Sequence, residues 1–224
     1  PGGSIGEAYS DEPKRVAVTL LDLVAGSRSE VLIESAYFVL NDEALELVAE
    51  LRQRGVRVRA LTNSMSSNDV LPNHASYAMV REDMLDHGIE LHELRPDASS
   101  CLEIIGKDEF CDEDSHLGLH AKTAVFDRKT VYVGSMNLNL RSAYLNTEAA
   151  MIVNSPVLAG ELSRQIELNM KPENSWKVMK KNGDITWVTT REGVEEISNH
   201  EPLTSWLKRF EAGFLKLVAG AEYY

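Results

Sequence analysis

The chain has 224 residues, 43% of them hydrophobic and 26% charged, which is the balance of an ordinary globular domain rather than of a disordered or fibrous chain. It contains no run of roughly 18 apolar residues, so no transmembrane helix is predicted. The net charge of −12 argues against a general nucleic-acid binder, whose surface should be basic.

Residues 1–11 (PGGSIGEAYSD) read as a linker or as the edge of a larger protein, because the chain starts at Pro1. Residues 12–27 have helical periodicity, with Val16, Leu20, Leu23 and Val24 on one side. Residues 30–39 form a buried strand. A helix follows with Asn41 as N-cap, acids in its first turn and Gly55 at its end. Residues 56–63 alternate as a strand, 74–88 are helical, and 89–94 are a short strand. This alternation predicts an α/β sheet with right-handed crossovers. Residues 97–117 are irregular and acidic, a surface loop. LHAKTAVFD and TVYVGS read as strands joined by the turn DRKT. A short helix near 138–144, a strand near 147–153 and a helix over 155–170, with Ser155 as cap and Pro156 at its first position, complete this part. The C-terminal residues predict a hairpin over 175–190 around Asn182-Gly183 and an amphipathic helix over 204–218, with Trp206, Phe210, Phe214 and Leu217 on one face. The expected organisation is a domain over 12–172 with the hairpin and helix of 173–224 appended.

The densest pattern is HAKTAVFDRKTVYVGSMN, residues 120–137. It reads His-x-Lys, four residues, Asp, six residues, Gly-Ser-x-Asn. On a strand, His120 and Lys122 point to one face. An imidazole can attack phosphorus or protonate a leaving oxygen. An ammonium beside it can neutralise the charge that gathers on a non-bridging oxygen. Ser135 and Asn137 close the next strand and can donate further hydrogen bonds to phosphate. Side-chain cations and donors suffice for such a site, so neither metal nor cofactor is expected.

This signature resembles the HKD motif of the phospholipase D superfamily, matched without a gap. SAYFVLND, RGVRVRALTNS, DVLPNHASYAMVREDML, GIELHELRP, VGSMNLNLRSAYLNTE and EPLTSW look like the second half of bacterial C-type cardiolipin synthases, over most of residues 11–210. The resemblance implies a phospholipase D-like sandwich, a mixed β-sheet flanked by helices on both faces. It implies that His120 is the nucleophile or the partner acid, that Lys122 and Asn137 hold phosphate, and that Ser135 adds a donor. It makes Glu148 the carboxylate that orients the histidine ring. Asp127, at the turn, and Gly134 are expected to be structural. His74, Tyr77 and Arg81 match a family run on the second helix of this alternation and are secondary candidates, against a helix face that makes structural hydrogen bonds. Two departures stand out: the stretch before His120 is acidic where relatives carry small residues, and Ala36 stands where relatives often carry proline.

The family's ping-pong scheme needs two histidines, and this chain holds one motif and no internal repeat. The second is expected from a missing N-terminal half or from a twin chain in a homodimer. The expected activity is phosphatidyl transfer between phospholipids, with a superfamily nuclease or a non-catalytic half as alternatives. The expected location is cytoplasmic, with peripheral membrane contact as an option. The two cysteines, Cys101 and Cys111, are too few for a disulfide framework, which suits a reducing compartment. His116 and His120 are not expected to bind zinc. The cluster Arg52, Arg54, Arg57 and Arg59 reads as a solvated helix end and strand edge. His87, His92 and His200 read as surface residues, and Trp176 and Trp187 as facing each other across the hairpin. The C-terminal helix is expected to pack on the domain, with a membrane interface as the rival.

Overall fold

A computed structural model describes residues 13–100, 118–191 and 193–218. The acidic stretch with Cys101, Cys111 and His116 lies outside the described residues.

The strand at the centre, β1 (Glu30–Ser35), is buried from Val31 onward. Such an apolar strand is covered on both faces. It runs parallel to β2 (Arg57–Asn63), and β2 runs parallel to β3 (Glu90–Leu94). The crossovers are α2 (Asp42–Gln53) and α3 (Leu71–His87), preceded by α1 (Arg15–Gly26). Asn41 caps α2 by accepting from the Ala44 N–H at 3.1 Å, and Gly88 closes α3 with φ at 101°. On the other side of β1 lie β4 (Lys122–Phe126), β5 (Thr130–Gly134) and β6 (Ala150–Asn154), all antiparallel. The helices α4 (Leu140–Tyr144) and α5 (Pro156–Asn169) flank β6 in sequence, and Ser155 caps α5 through the Leu158 N–H.

The C-terminal hairpin extends this same sheet. β7 (Ser175–Lys181) pairs with β3, β8 (Asp184–Arg191) pairs with β7, and a further strand, β9 (Val194–Ser198), pairs with β8. The sheet is therefore nine-stranded, in the order β6-β5-β4-β1-β2-β3-β7-β8-β9. Asn182 and Gly183 both have positive φ, the turn an Asn-Gly pair favours. The last helix, α6 (Trp206–Val218), lies on α3.

Helices cover both faces. Leu20, Leu45, Val48, Tyr77 and Met84 of α1, α2 and α3 join Val31, Ile33 and Ala124 in one core. Ala159 and Ile166 of α5 join Leu32, Leu61 and Val125 in a second core behind the sheet.

Several expectations need correction. β2 is an interior strand, and Arg59 on it is buried, reaching Glu30 and Glu167 through Nη2 at 2.6 and 2.5 Å. Arg57 pairs with Glu90, while Arg54 donates to the Ala25 and Ser27 carbonyls. Trp187 stands opposite Val178 rather than Trp176. His92 is half-buried on β3, and burial, aided by the Lys177 charge, holds its pKa at about 4.

Candidate active site

β4 and β5 are joined by a three-residue turn, Asp127 to Lys129, in which Asp127 and Arg128 have φ of 52° and 53°. The turn fixes the register so that Thr123 faces Val133. Continuing that ladder by one residue sets Lys122 beside Gly134. Both lie on the α1–α3 face, the side to which Ala124 and Tyr132 point. Gly134 has to be small: a Cβ there would come within 2.6 Å of the Tyr132 hydroxyl and 2.9 Å of the Ala149 carbonyl oxygen.

His120 precedes β4 and is exposed; among the described residues its imidazole makes no hydrogen bond. The residue before it is held firmly. Asn63, at the end of β2 and buried, accepts from the Leu119 N–H at 2.8 Å and donates to the Leu119 carbonyl at 2.8 Å. The same amide also donates to the Ala36 carbonyl, and the Ala36 N–H donates to the Ala121 carbonyl at 3.0 Å. The backbone that carries His120 is thus clamped to the ends of β1 and β2, while its side chain is open. Asn63 did not stand out in the sequence; its partner lies 56 residues away.

Lys122 donates to the His120 carbonyl at 3.0 Å. Partial burial lowers its pKa from the ordinary lysine value, against the opposing charges of Glu148 and Asp69. Asp69 accepts from the Tyr37 hydroxyl at 2.9 Å. These two residues at the mouth of the site were also not singled out in the sequence.

Ser135 and Glu148 meet directly. The Ser135 hydroxyl donates to Glu148 Oε2 and accepts from the Ala149 N–H at 3.0 Å. The other Glu148 oxygen accepts from the Asn146 side chain at 3.1 Å. Glu148 thus stands with the motif residues, and its contact is with Ser135 rather than with the His120 ring. The Asn137 side-chain oxygen is buried without a partner. Rotating that amide about its last bond would put its NH2 there instead, an unpaired donor suited to an anionic oxygen.

Asp127 lies at the other end of β4, five residues past Lys122, or about 16 Å along a strand. Its carboxylate accepts from the N–H groups of Arg28, Ser29 and Glu30 at 3.0, 2.7 and 3.1 Å, so it caps the start of β1. Burial would raise its pKa, but the N–H groups of Glu30 and Ser29 prevail and hold it below the usual carboxylate range. At that distance it is out of reach of His120.

His74, Tyr77 and Arg81 are gathered elsewhere, in a buried cluster between α3, β3 and β8. Arg81 donates to Glu93 at 3.0 Å and to Glu201 at 2.8 Å. Tyr77 and Trp187 each donate to Glu93 at 2.8 Å, and His74 Nε2 lies 3.2 Å from Glu201. The Arg81 guanidinium is 4.6 Å from the Trp187 ring centre. Burial raises the Glu93 pKa; it opposes ionisation of Glu201 too, but Arg81 prevails there and draws Glu201 well below the usual carboxylate range. The cluster locks α3 to the sheet and to the segment that leads into α6.

A mixed sheet covered by helices on both faces, with an open imidazole and a lysine together at its strand ends, is a phospholipase D-like fold. The family described as "Cardiolipin synthase, PLD-like domain" matches residues 20–170. The chain belongs to that family. It is 33% identical to cardiolipin synthase C of Escherichia coli K12 over 91% of its own length and 43% of that protein's. Its fold is similar to that of Nuc from Salmonella typhimurium, a phospholipase D family member, with a TM-score of 0.51 and 16% identity, covering 70% of this chain and 89% of that one. It is also similar to that of phosphatidylserine synthase from Haemophilus influenzae Rd KW20, with a TM-score of 0.53 and 15% identity, covering 91% of this chain and 41% of that one. The chain spans less than half the length of cardiolipin synthase C.

Proposed function

We propose that this chain is the C-terminal half of a cardiolipin synthase and acts in phosphatidyl transfer through a phosphohistidine. The observation that carries this reading is the open His120 imidazole on a clamped backbone, next to a lysine whose ammonium is only partly hydrated. Its partial burial strengthens the attraction of Lys122 for an anionic phosphodiester. A nitrogen of His120 attacks phosphorus, a P–N bond forms, and the P–O bond to the departing alcohol breaks. The departing oxygen takes a proton from a second histidine, supplied by another half or by a twin chain. The hydroxyl of a second phospholipid, such as phosphatidylglycerol, then returns its proton to that histidine and attacks phosphorus. The P–N bond breaks and His120 is regenerated. Lys122 and the Asn137 amide hold the non-bridging oxygens throughout. Glu148 holds the Ser135 hydroxyl.

Hydrolysis would follow if water replaced the acceptor alcohol. A nuclease would use the same groups, but its groove needs free cations. The net charge of −12 disfavours that substrate, and Arg57 and Arg59 are committed to carboxylates at the end of the sheet away from His120.

A mixed-lipid assay tests the proposal, with this chain alone and with a longer polypeptide that carries a second motif. Cardiolipin from the longer protein only is the expected result. Cleavage of single-stranded nucleic acid with no lipid product would overturn the phospholipid reading. No turnover of either would leave the chain as a non-catalytic half.

A further inference from the structure

α6 was expected to turn its aromatic face inward, and it does the reverse. Ala212 is buried on the side that meets α3, while Trp206, Phe210 and Phe214 are 71%, 66% and 58% exposed. Leu207 on the helix and Leu203 just before it are also exposed. Spaced at three- and four-residue steps, the helix residues form one continuous outward stripe. A contiguous exposed apolar patch of this kind marks an interaction site.

We propose that this outer face of α6 docks on the surface of a phospholipid membrane that carries anionic headgroups. The charge of the helix fits that occupant. In a chain of net charge −12, α6 holds Lys208, Arg209 and Lys216 against one acid, Glu211. Basic residues beside a Trp- and Phe-bearing face are the pattern of a helix lying in a bilayer interface. The centre of a protein–protein interface is instead depleted in lysine. Two copies of the helix face to face would also bring like charges together. Placement agrees as well. The chain enters α6 from Glu201, which is held by His74 near the start of α3, and α3 itself follows Asp69, whose charge acts on Lys122. The segment leading into the helix is therefore anchored to the end of α3 that adjoins the candidate active site. The choice of a lipid occupant rests on the phospholipid reading, but the test below needs no turnover.

Trp176 and Trp187 are buried, so Trp206 is the exposed member of the three tryptophans. Its fluorescence reports docking. The chain is titrated with phosphatidylcholine vesicles, with and without phosphatidylglycerol, and binding is checked by co-sedimentation. The expected result is a blue shift and partition into the mixed vesicles. Phe210→Ser with Phe214→Ser should weaken partition at least tenfold with an unchanged melting temperature. Lys208→Glu should weaken it on mixed vesicles and not on neutral ones. Undiminished binding of the double serine variant overturns the proposal. So does absence of binding to either vesicle, whether sedimentation then shows self-association through this face or none. Vesicle binding by this chain, together with no lipid turnover by a longer polypeptide that carries a second motif, would count against the proposed function and leave this inference standing.

Discussion

The molecule assembles a histidine, glutamate and a cation twice, with opposite outcomes. Around Arg81 the groups are buried, and the charges pair with one another: Glu93 alone accepts from Tyr77, Arg81 and Trp187. Around Lys122 the same kinds of side chain lie at strand ends. There the imidazole makes no hydrogen bond among the described residues, and the Asn137 amide keeps an unpaired polar atom. A buried set whose opposite charges pair with one another stabilises one arrangement of the chain, even though His74 Nδ1, Arg81 Nε and Glu201 Oε2 stay unpaired; an exposed imidazole and a lysine not paired with a carboxylate can accept a substrate. Chemistry is therefore assigned by environment, not by residue type.

The largest effect should come from the open set. His120→Ala, in an assembly that supplies a second motif, should lower turnover by roughly 10⁴-fold or more, as loss of a nucleophile does. Its melting temperature should hold, because exposed substitutions stay within about 0.5 kcal/mol. Substantial residual turnover would remove His120 from the mechanism and erase the contrast.

The buried set should answer in stability instead. Arg81→Met strands two carboxylates and should cost about 3–5 kcal/mol, read by denaturant unfolding; a loss near zero would mean that Glu93 and Glu201 do not depend on Arg81. Its pH dependence follows from Glu201. Burial opposes its ionisation, but Arg81 prevails and sets its folded pKa at about 2, below the unfolded value of 4.5. Stability from this residue is thus complete above the unfolded value and is lost as pH falls from there toward the folded one. Glu93, raised by burial, acts in the opposite sense as pH rises past the unfolded value. Unfolding against pH should show a shallower acid limb in Glu201→Gln than in the unaltered chain; identical limbs would refute the assignment.

Asn63 sits between the two regimes, being buried like the first and serving the second. Asn63→Leu leaves the Leu119 N–H and carbonyl without their partner and should lower kcat by about 10- to 100-fold, the scale of a misplaced catalytic group. KM should change little. Asn63→Asp keeps the acceptor for the Leu119 N–H and loses the donor, so it should recover part of the rate. Equal losses in both variants would point to general destabilisation rather than to positioning.

Elements with local signals were readable in the sequence. Asn41, Ser155 and Asn182-Gly183 carry their caps and turn within a few residues, and periodicity marked the helices and central strands. The motif also brought together His120, Lys122, Ser135 and Glu148, because one tight turn and one short helix connect them. Contacts between distant residues were not readable. Asn63 meets Leu119 across 56 positions, and His74 meets Glu201 across 127. No local pattern announces either. The same limit explains why His74 and Arg81 were open to two readings, since the sequence does not say that Glu93 and Glu201 would surround them. α6 shows a related limit: periodicity identifies an apolar face, but only the neighbouring elements decide which way it turns.

The smallest effect tests the electrostatics of the open site. Lys122 has a pKa below the ordinary lysine value because of partial burial, while Asp69 and Glu148 pull it back up. Only the charged form attracts phosphate, so turnover should fall as pH rises through this lowered pKa. Asp69→Asn removes one of the charges that favour the ammonium. The pKa should fall further, and the alkaline limb of the pH–rate profile should move to lower pH. The rate at the optimum should change less than about tenfold, since Asp69 bonds Tyr37 rather than the reacting groups. A limb that moved to higher pH, or stayed in place, would mean that the group titrating there is not Lys122.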